Sequence, residues 1–516
     1  MMAARVSRLL RVSRVRRVLD AFRGTALIAA VLLVASAHIG SPDAWYDGPA
    51  GPYTVLVRVQ TPAVVPGIAI VNVRVTEPGI ERVTAFVNRF DATGGTPPPD
   101  LAAPVADSTG WYRTRLWVMT AGSNSVTVAV RGRKGTGSVV VPLTAVAGRR
   151  LTFDTPLAML LTLVGVVLAL GLVTIAGAAV RDSVLTPGAE PDAQRRRRAR
   201  VAMGRVAVVI VVAIVGTGAW WRAEDRSFAR NLFRPMSVSA RVVPAALRGR
   251  LVLSIDDSTW AHRHDVRWLR ERRLPPRGDL IEDHGKLVHL FLVSMDARSV
   301  FAHLHPVTRD SVSFESPLPA LPPGPYRVYA DIVHASGFTQ TMTTITDVRA
   351  DAGARGDSAL ADPDDSWAVG RQGGDPSRAV LGDGTTLTWL RDPAAPVANT
   401  EAGLRFAVTA PKGDTASLEP YLGMVGHAVV ARDDGQVFIH LHPLGTISLA
   451  AQARLTRSGS AGAMGHAMSA PDLGRDTLYF PYAFPQPGRY TVWVQLKRAG
   501  RVLTGSFPVD VAPAPR

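Results

Sequence analysis

The sequence predicts a mainly β protein: three antiparallel β-sandwich domains outside a membrane, with two or three transmembrane helices. Three observations predict it. Apolar and polar residues alternate in short runs, as in Tyr53-Thr-Val-Leu-Val-Arg-Val-Gln60 and Asn124-Ser-Val-Thr-Val-Ala-Val-Arg131, and clusters such as Gly94-Gly-Thr-Pro-Pro-Pro99 separate them. That is the pattern of half-buried strands between turns. Long apolar stretches are flanked by arginines, and a histidine-bearing stretch occurs twice.

Taking the chain in order, residues 1–40 are an Arg-rich N-terminus. Its apolar part, Thr25–Ile39, is short for a span. It reads as a signal peptide with Ala35-Ser-Ala37 as cleavage site, or as an uncleaved anchor. Residues 41–153 form the first exported sandwich, which after His38 has no histidine. Residues 154–181 contain Pro156–Val180, an uncharged stretch expected to cross a membrane. Residues 182–204 form a basic cytoplasmic loop around Arg195–Arg198. Residues 205–221 contain a shorter span, Val206–Trp221, ~24 Å long at 1.5 Å per residue, with Arg205 and Trp220-Trp221 at its two interfaces.

The net charge is +16, but residues 1–24 carry +6 and residues 181–205 carry +4. Ten of the sixteen charges thus flank apolar runs, which is the positive-inside pattern and not a nucleic-acid face. The chain has no cysteine. Disulfides, thiolate metal sites and a cysteine nucleophile are excluded.

Residues 222–350 form the second exported sandwich, 351–378 a Gly- and Asp-rich linker, and 379–516 the third sandwich. Lys286-Leu-Val-His289 through His303-Leu-His305-Pro306 returns as Met424-Val-Gly-His427 through His440-Leu-His442-Pro443. Each copy is two strand-like runs around a polar turn. The two histidines of His-x-His share one face of a strand. A two-residue type I′ turn at Asp434-Gly435 sets His427 opposite His442. The first copy is one residue longer, and a three-residue turn at Asp296-Ala297-Arg298 again sets His289 opposite His305. Opposed Cβ atoms lie ~4.5–5.5 Å apart, so three imidazoles in each copy can reach one ion. The likeness extends to Pro323-Gly-Pro-Tyr326 and Pro487-Gly-Arg-Tyr490.

The candidate metal ligands are His289, His303 and His305 in one copy and His427, His440 and His442 in the other. Met464, His466 and Met468, in an insertion between Pro443 and Pro487, could close over the second set. Imidazole suits Cu(II), Zn and Ni, and thioether sulfur favours Cu(I). Copper is therefore the expected ion, with zinc as an alternative. The competing reading is that His-x-His hydrogen bonds to backbone at a sheet edge and the following Pro ends the strand. Asp331 could orient an imidazole from behind. Met424 reads as core, and His262 and His264 as surface; Glu282-Asp283-His284 could add ligands in the first unit, but reads more readily as an acidic turn leading into a strand.

Enzyme signatures are poor. Gly356-Asp-Ser358 follows no strand, Gly132-Arg-Lys-Gly-Thr-Gly137 lacks phosphate-loop spacing, and no HExxH occurs. No enzymatic activity is expected.

The blocks from Asp283-His-Gly-Lys286 to Pro306, and from Tyr421-Leu-Gly to Pro443, resemble a group of exported bacterial proteins. More loosely, residues 237–350 and 379–512 resemble YtkA/FixH-like and CopC-like β-sandwich modules associated with periplasmic copper handling. The resemblance implies Ig-like or cupredoxin-like sandwiches, a bacterial inner-membrane protein with most of its chain in the periplasm, and copper. The expected function is metal delivery or buffering near a membrane complex. The alternative is a non-catalytic scaffold or accessory subunit of a respiratory or photosynthetic complex. Expected partners are the lipid bilayer and other membrane or periplasmic proteins, with no nucleic acid.

Overall fold

A computed structural model describes residues 38–515, except 40–42, 91–96, 107, 149–153, 184, 187, 231, 245–248, 266, 268–278, 297–299, 309, 350–361, 371–373, 393, 412–416 and 459–475. The chain is mostly β and divides into two compact units, Met1–Ala145 with Pro235–Arg516, and Val146–Arg234.

The smaller unit contains helices Thr155–Asp182 and Ala193–Arg230, each long and apolar enough to cross a membrane. Both exceed the expected spans. The second helix takes in the Arg195–Arg198 run, expected as loop, and continues beyond Trp221. Ala, Arg and Gln are strong helix formers, so charge alone does not end a helix. Gly177 is buried, and a Cβ there would stand 2.5 Å from Met203 Sδ. Small residues let helices approach in this way.

In the larger unit, residues 43–145 form a five-stranded and a four-stranded sheet. Alternation works as expected in Tyr53–Gln60, where Tyr53, Val55, Val57 and Val59 are all buried. The first histidine module pairs a sheet containing Leu251, Leu253 and Phe314 with one containing Leu290, Ala302 and Val328, through one core. The second module repeats this with Leu387, Phe406 and Leu478 against Val430, Ile439 and Val492. Among the described residues the named strands pair antiparallel except for His38–Ile39, which pairs parallel with Val437–Phe438. The rest of the candidate export segment Thr25–Ile39 lies outside the described residues.

Two expectations are corrected here. Residues 351–378 are not simply a linker: Ser366–Val369 is a strand that pairs with Val300–Leu304. An edge strand leaves a row of unpaired backbone groups, and this segment covers it. The insertion after Pro443 is not simply a loop either, because Leu449–Ser458 is a helix. Gln452 of that helix donates to Val140 O at 3.0 Å, and its Ala450 N–H donates to Asp283 Oδ1 at 3.0 Å.

The region before the helices docks directly behind the second His-x-His. Asp47 N donates to Leu444 O at 2.8 Å and Trp45 N to Thr446 Oγ1 at 3.0 Å. Gly445 between them has φ +119°, and a Cβ there would lie 2.1 Å from Trp45 O. Gly445→Ala is therefore expected to destabilise this junction by ~1–3 kcal/mol. Limited proteolysis would read it as faster cleavage between residues 43 and 60.

Candidate metal centre

The strands bearing the histidines fall in the register that the turn lengths require. Leu290 pairs with Leu304 and Ala428 with Leu441, so the next positions outward are His289 opposite His305 and His427 opposite His442. The second turn differs in type. Of Asp434 and Gly435, only Gly435 has positive φ, +74°, and its N–H donates to Arg432 O. The Asp434 carboxylate accepts from Gln436 N at 2.9 Å and from Arg432 Nε at 2.9 Å. That side-chain bonding keeps Asp434 out of the positive-φ region and gives the same register with another turn.

The type I′ conformation occurs one turn earlier. His284 and Gly285 have φ +56° and +77°, and Leu422 and Gly423 have φ +51° and +77°. Each pair closes a short hairpin, bridged by Asp283–Lys286 and by Tyr421–Met424. This turn swings His284 inward, with a side chain 4% exposed.

The two modules pack with their histidine faces together. The contacts are reciprocal: Tyr329 stacks on Phe438 at 3.9 Å, and Trp493 stacks on Phe301 at 4.9 Å. Phe291, Val293, Val429 and Ala431 complete this buried patch. The sequence suggests a separate triad in each module, whereas the structure gathers seven histidines into one cluster. His289 lies 5.3 Å from His440 between ring centroids, and His284 lies 4.9 Å from His442 and 5.4 Å from His427.

Nitrogens of His289, His303 and His305 all lie within 4.8 Å of one another, as do those of His284, His427 and His442. The first set is the one expected. In the second, His284 takes the place expected for His440, which turns its Nδ1 toward Asp331 Oδ2 at 3.6 Å. A further set, His305 with Asp362 and Asp365, adjoins the first.

The outer hydrogen bonds fix the tautomers. His289 Nε2 faces Asp283 O at 3.1 Å, His303 Nδ1 faces Gln495 Oε1 at 2.9 Å, and His305 Nδ1 faces Asp365 Oδ1 at 3.0 Å. His442 Nδ1 faces Ile447 O at 3.0 Å. Each of these partners is an acceptor, and Tyr421 Oη, 3.1 Å from His303 Nδ1, accepts as well while donating to Asp364 O at 3.3 Å, so each of these nitrogens carries the proton and the other nitrogen presents a lone pair inward. His289 Nδ1 and His303 Nε2 consequently face each other at 3.2 Å, both as lone pairs. Nitrogens bound ~2.0–2.1 Å from a shared tetrahedral ion would stand ~3.3 Å apart. The Nε2 atoms of His284, His305, His440 and His442, and both nitrogens of His427, are buried without a hydrogen-bond partner.

Burial keeps five of these rings neutral. Desolvation holds His289, His303, His427 and His440 well below 6.5, reinforced by neighbouring imidazoles. Desolvation and then His284 push His442 down to about 4, although Asp283 opposes this. Neutral imidazole is the ligating form, so protons do not compete for these nitrogens at neutral pH. Asp331 is pushed up to about 7 by burial and, next among the raising influences, by Asp283.

Among the other sequence candidates, Met424 is buried, and His262 and His264 are exposed. His334 packs edge-on against Trp260 at 5.8 Å. Met464, His466 and Met468 lie outside the described residues. His284 was legible as a turn residue that could add a ligand; the signal for its turn is the match of His284-Gly285 to Leu422-Gly423.

Residues 379–513 match the family described as Domain of unknown function (DUF8832). No curated protein matches the chain. Similar solved structures include a tetra-tandem repeat in the extending region of a large adhesion protein, at 10% identity. That match covers 87% of this chain and 71% of that one, with a TM-score of 0.14. A putative membrane anchored protein from Corynebacterium diphtheriae matches at 9% identity, over 90% of this chain and 92% of that one, with a TM-score of 0.14. An engineered protein matches at 21% identity, over 18% of this chain and 20% of its own, with a TM-score of 0.15. Likenesses this distant carry no functional information.

The depressed imidazoles set a pH dependence. An unfolded histidine takes up its proton near 6.5 while these folded ones stay neutral, so stability is fully present above ~6.5 and falls as pH drops toward about 4. At ~1.36 kcal/mol per unit, His442 alone contributes a loss of ~3 kcal/mol. Metal-free protein in detergent is expected to melt at progressively lower temperature from pH 7 to 4.5, and His442→Phe is expected to flatten that decline.

Proposed function

We propose that this is a membrane-anchored metal-binding protein whose seven-histidine centre holds copper. One observation carries the reading: the outward nitrogens of four rings are tied to acceptors, so that the lone pairs of His289 Nδ1 and His303 Nε2 face each other at 3.2 Å without a proton between them. A buried polar group with no partner costs ~1–3 kcal/mol, and a cation coordinated by the lone pairs removes that cost. Among divalent first-row ions, an all-imidazole site favours Cu(II) most strongly, with zinc next to it in the affinity order. His289, His303, His305, His284, His427, His442 and His440 would hold the ion, and the ion would supply Lewis acidity or one-electron redox chemistry.

The site serves delivery or buffering outside the cytoplasm. The resemblance of both modules to YtkA/FixH-like and CopC-like proteins supports this, as does the duplication of an Ig-like or cupredoxin-like module. The apolar helices and the Arg195–Arg198 run support an inner-membrane anchor with the β regions in the periplasm. Residues before and after the helix pair belong to one compact unit, which a two-span hairpin permits. A second reading, an accessory subunit that docks other exported proteins, is favoured by Leu101, Trp117 and Met119, each at least 60% exposed.

Full-length protein in detergent, supplied with copper and zinc and passed through gel filtration, is expected to retain copper. The double variant His303→Ala/His442→Ala is expected to lose it while keeping its β circular dichroism. Wild-type protein that emerges without metal would overturn the reading.

A further inference from the structure

We propose that the cluster is a two-ion centre, with one ion held within the first module and the other clasping the two modules together. The inference rests on the metal-binding reading above and goes beyond it in the number and placement of ions. The two converging sets share no residue: His289, His303 and His305 form one, and His284, His427 and His442 form the other. The first set comes entirely from the first module. The second takes His284 from the first module and His427 and His442 from the second.

A single ion cannot account for the donors present. The inward nitrogens belong to seven rings, whereas an ion of this class in an imidazole site takes about four nitrogens. One ion would leave three buried imidazoles orphaned, at ~1–3 kcal/mol each. Two ions take three rings each, and His440 remains between them. Its ring is 5.3 Å from His289, 5.5 Å from His303, 5.3 Å from His427 and 4.6 Å from His442, with Nε2 buried and unpartnered. It can complete either coordination sphere.

The surroundings supply negative charge beside the imidazoles. Asp365 Oδ1 lies 3.0 Å from His305 Nδ1, Asp331 Oδ2 lies 3.6 Å from His440 Nδ1, and Asp283 Oδ1 lies 3.9 Å from His284 Nε2. The Asp365 and Asp283 carboxylates and the Asp331 carboxyl group thus stand against the imidazoles, and a carboxylate behind a ligating ring also raises its basicity. Rings of the two sets approach as closely as 6.1 Å, from His284 to His289, so two paramagnetic ions would be magnetically coupled.

Full-length protein loaded with copper(II) and freed of excess by gel filtration is expected to contain two ions per chain by elemental analysis. Its electron paramagnetic resonance is expected to integrate to well under the copper content or to show a half-field line. His305→Ala and His427→Ala are each expected to retain one ion, with the signal of an isolated copper(II) that integrates fully. Wild-type protein that saturates at one ion with a full isolated signal would overturn the two-ion centre and leave metal binding intact. Protein that takes up no metal would overturn both. The wild-type measurements decide the matter even if a variant fails to fold.

Discussion

The structure depends on the burial of one flat aromatic and imidazole face against another. Tyr329 on Phe438 and Trp493 on Phe301 are the same contact made twice, once in each direction. Such reciprocity is what an isologous interface between two subunits produces, here within one chain. Aromatic packing of this kind is worth ~0.5–1.5 kcal/mol per pair beyond the area buried. Its larger effect is on the histidines next to it. Phe291 stacks at 4.2 Å on His303 and approaches His440 at 5.0 Å, and with water excluded the rings lose their protons and keep their lone pairs.

Outside the interface, the elements of the larger unit brace the rings from behind. Gln495 reaches from the second module to His303 of the first, while also donating to Thr504 Oγ1 at 3.4 Å. Lys286 and Lys497 both pair with Asp364, next to the Asp365 that orients His305. The segment between the modules is thereby tied to the site from both sides. Asp283 joins the His284 turn to the start of helix Leu449–Ser458. Each brace limits the rotation of an imidazole by fixing its outer nitrogen, which leaves the inner one aimed at the cluster.

Much of this was legible in the sequence. Strand alternation, the two apolar helices and the register of both hairpins follow from residue spacing, because a hairpin's loop length determines which residues face each other. The turn at Asp434 was misread because its carboxylate bonds locally, a choice that the Asp-Gly pair leaves open. The docking of the two modules was not legible. Phe301, Phe438, Tyr329 and Trp493 alternate like core residues, and alternation cannot say whose core they enter. For a related reason the sequence left His284 between ligand and turn residue, since turn chemistry describes the backbone and not the direction of the side chain. Helix Leu449–Ser458 and strand Ser366–Val369 are short and held by tertiary contacts that local pattern does not carry.

The modules differ at one paired position. Asp331 stands opposite His289 on the neighbouring strand where Gln495 stands opposite His427. Each reaches across to the other module's imidazole, so His440 has a carboxyl group behind it and His303 an amide. A carboxyl group behind a ring raises its basicity more than an amide does, so a duplicated framework still yields two imidazoles of unequal donor strength.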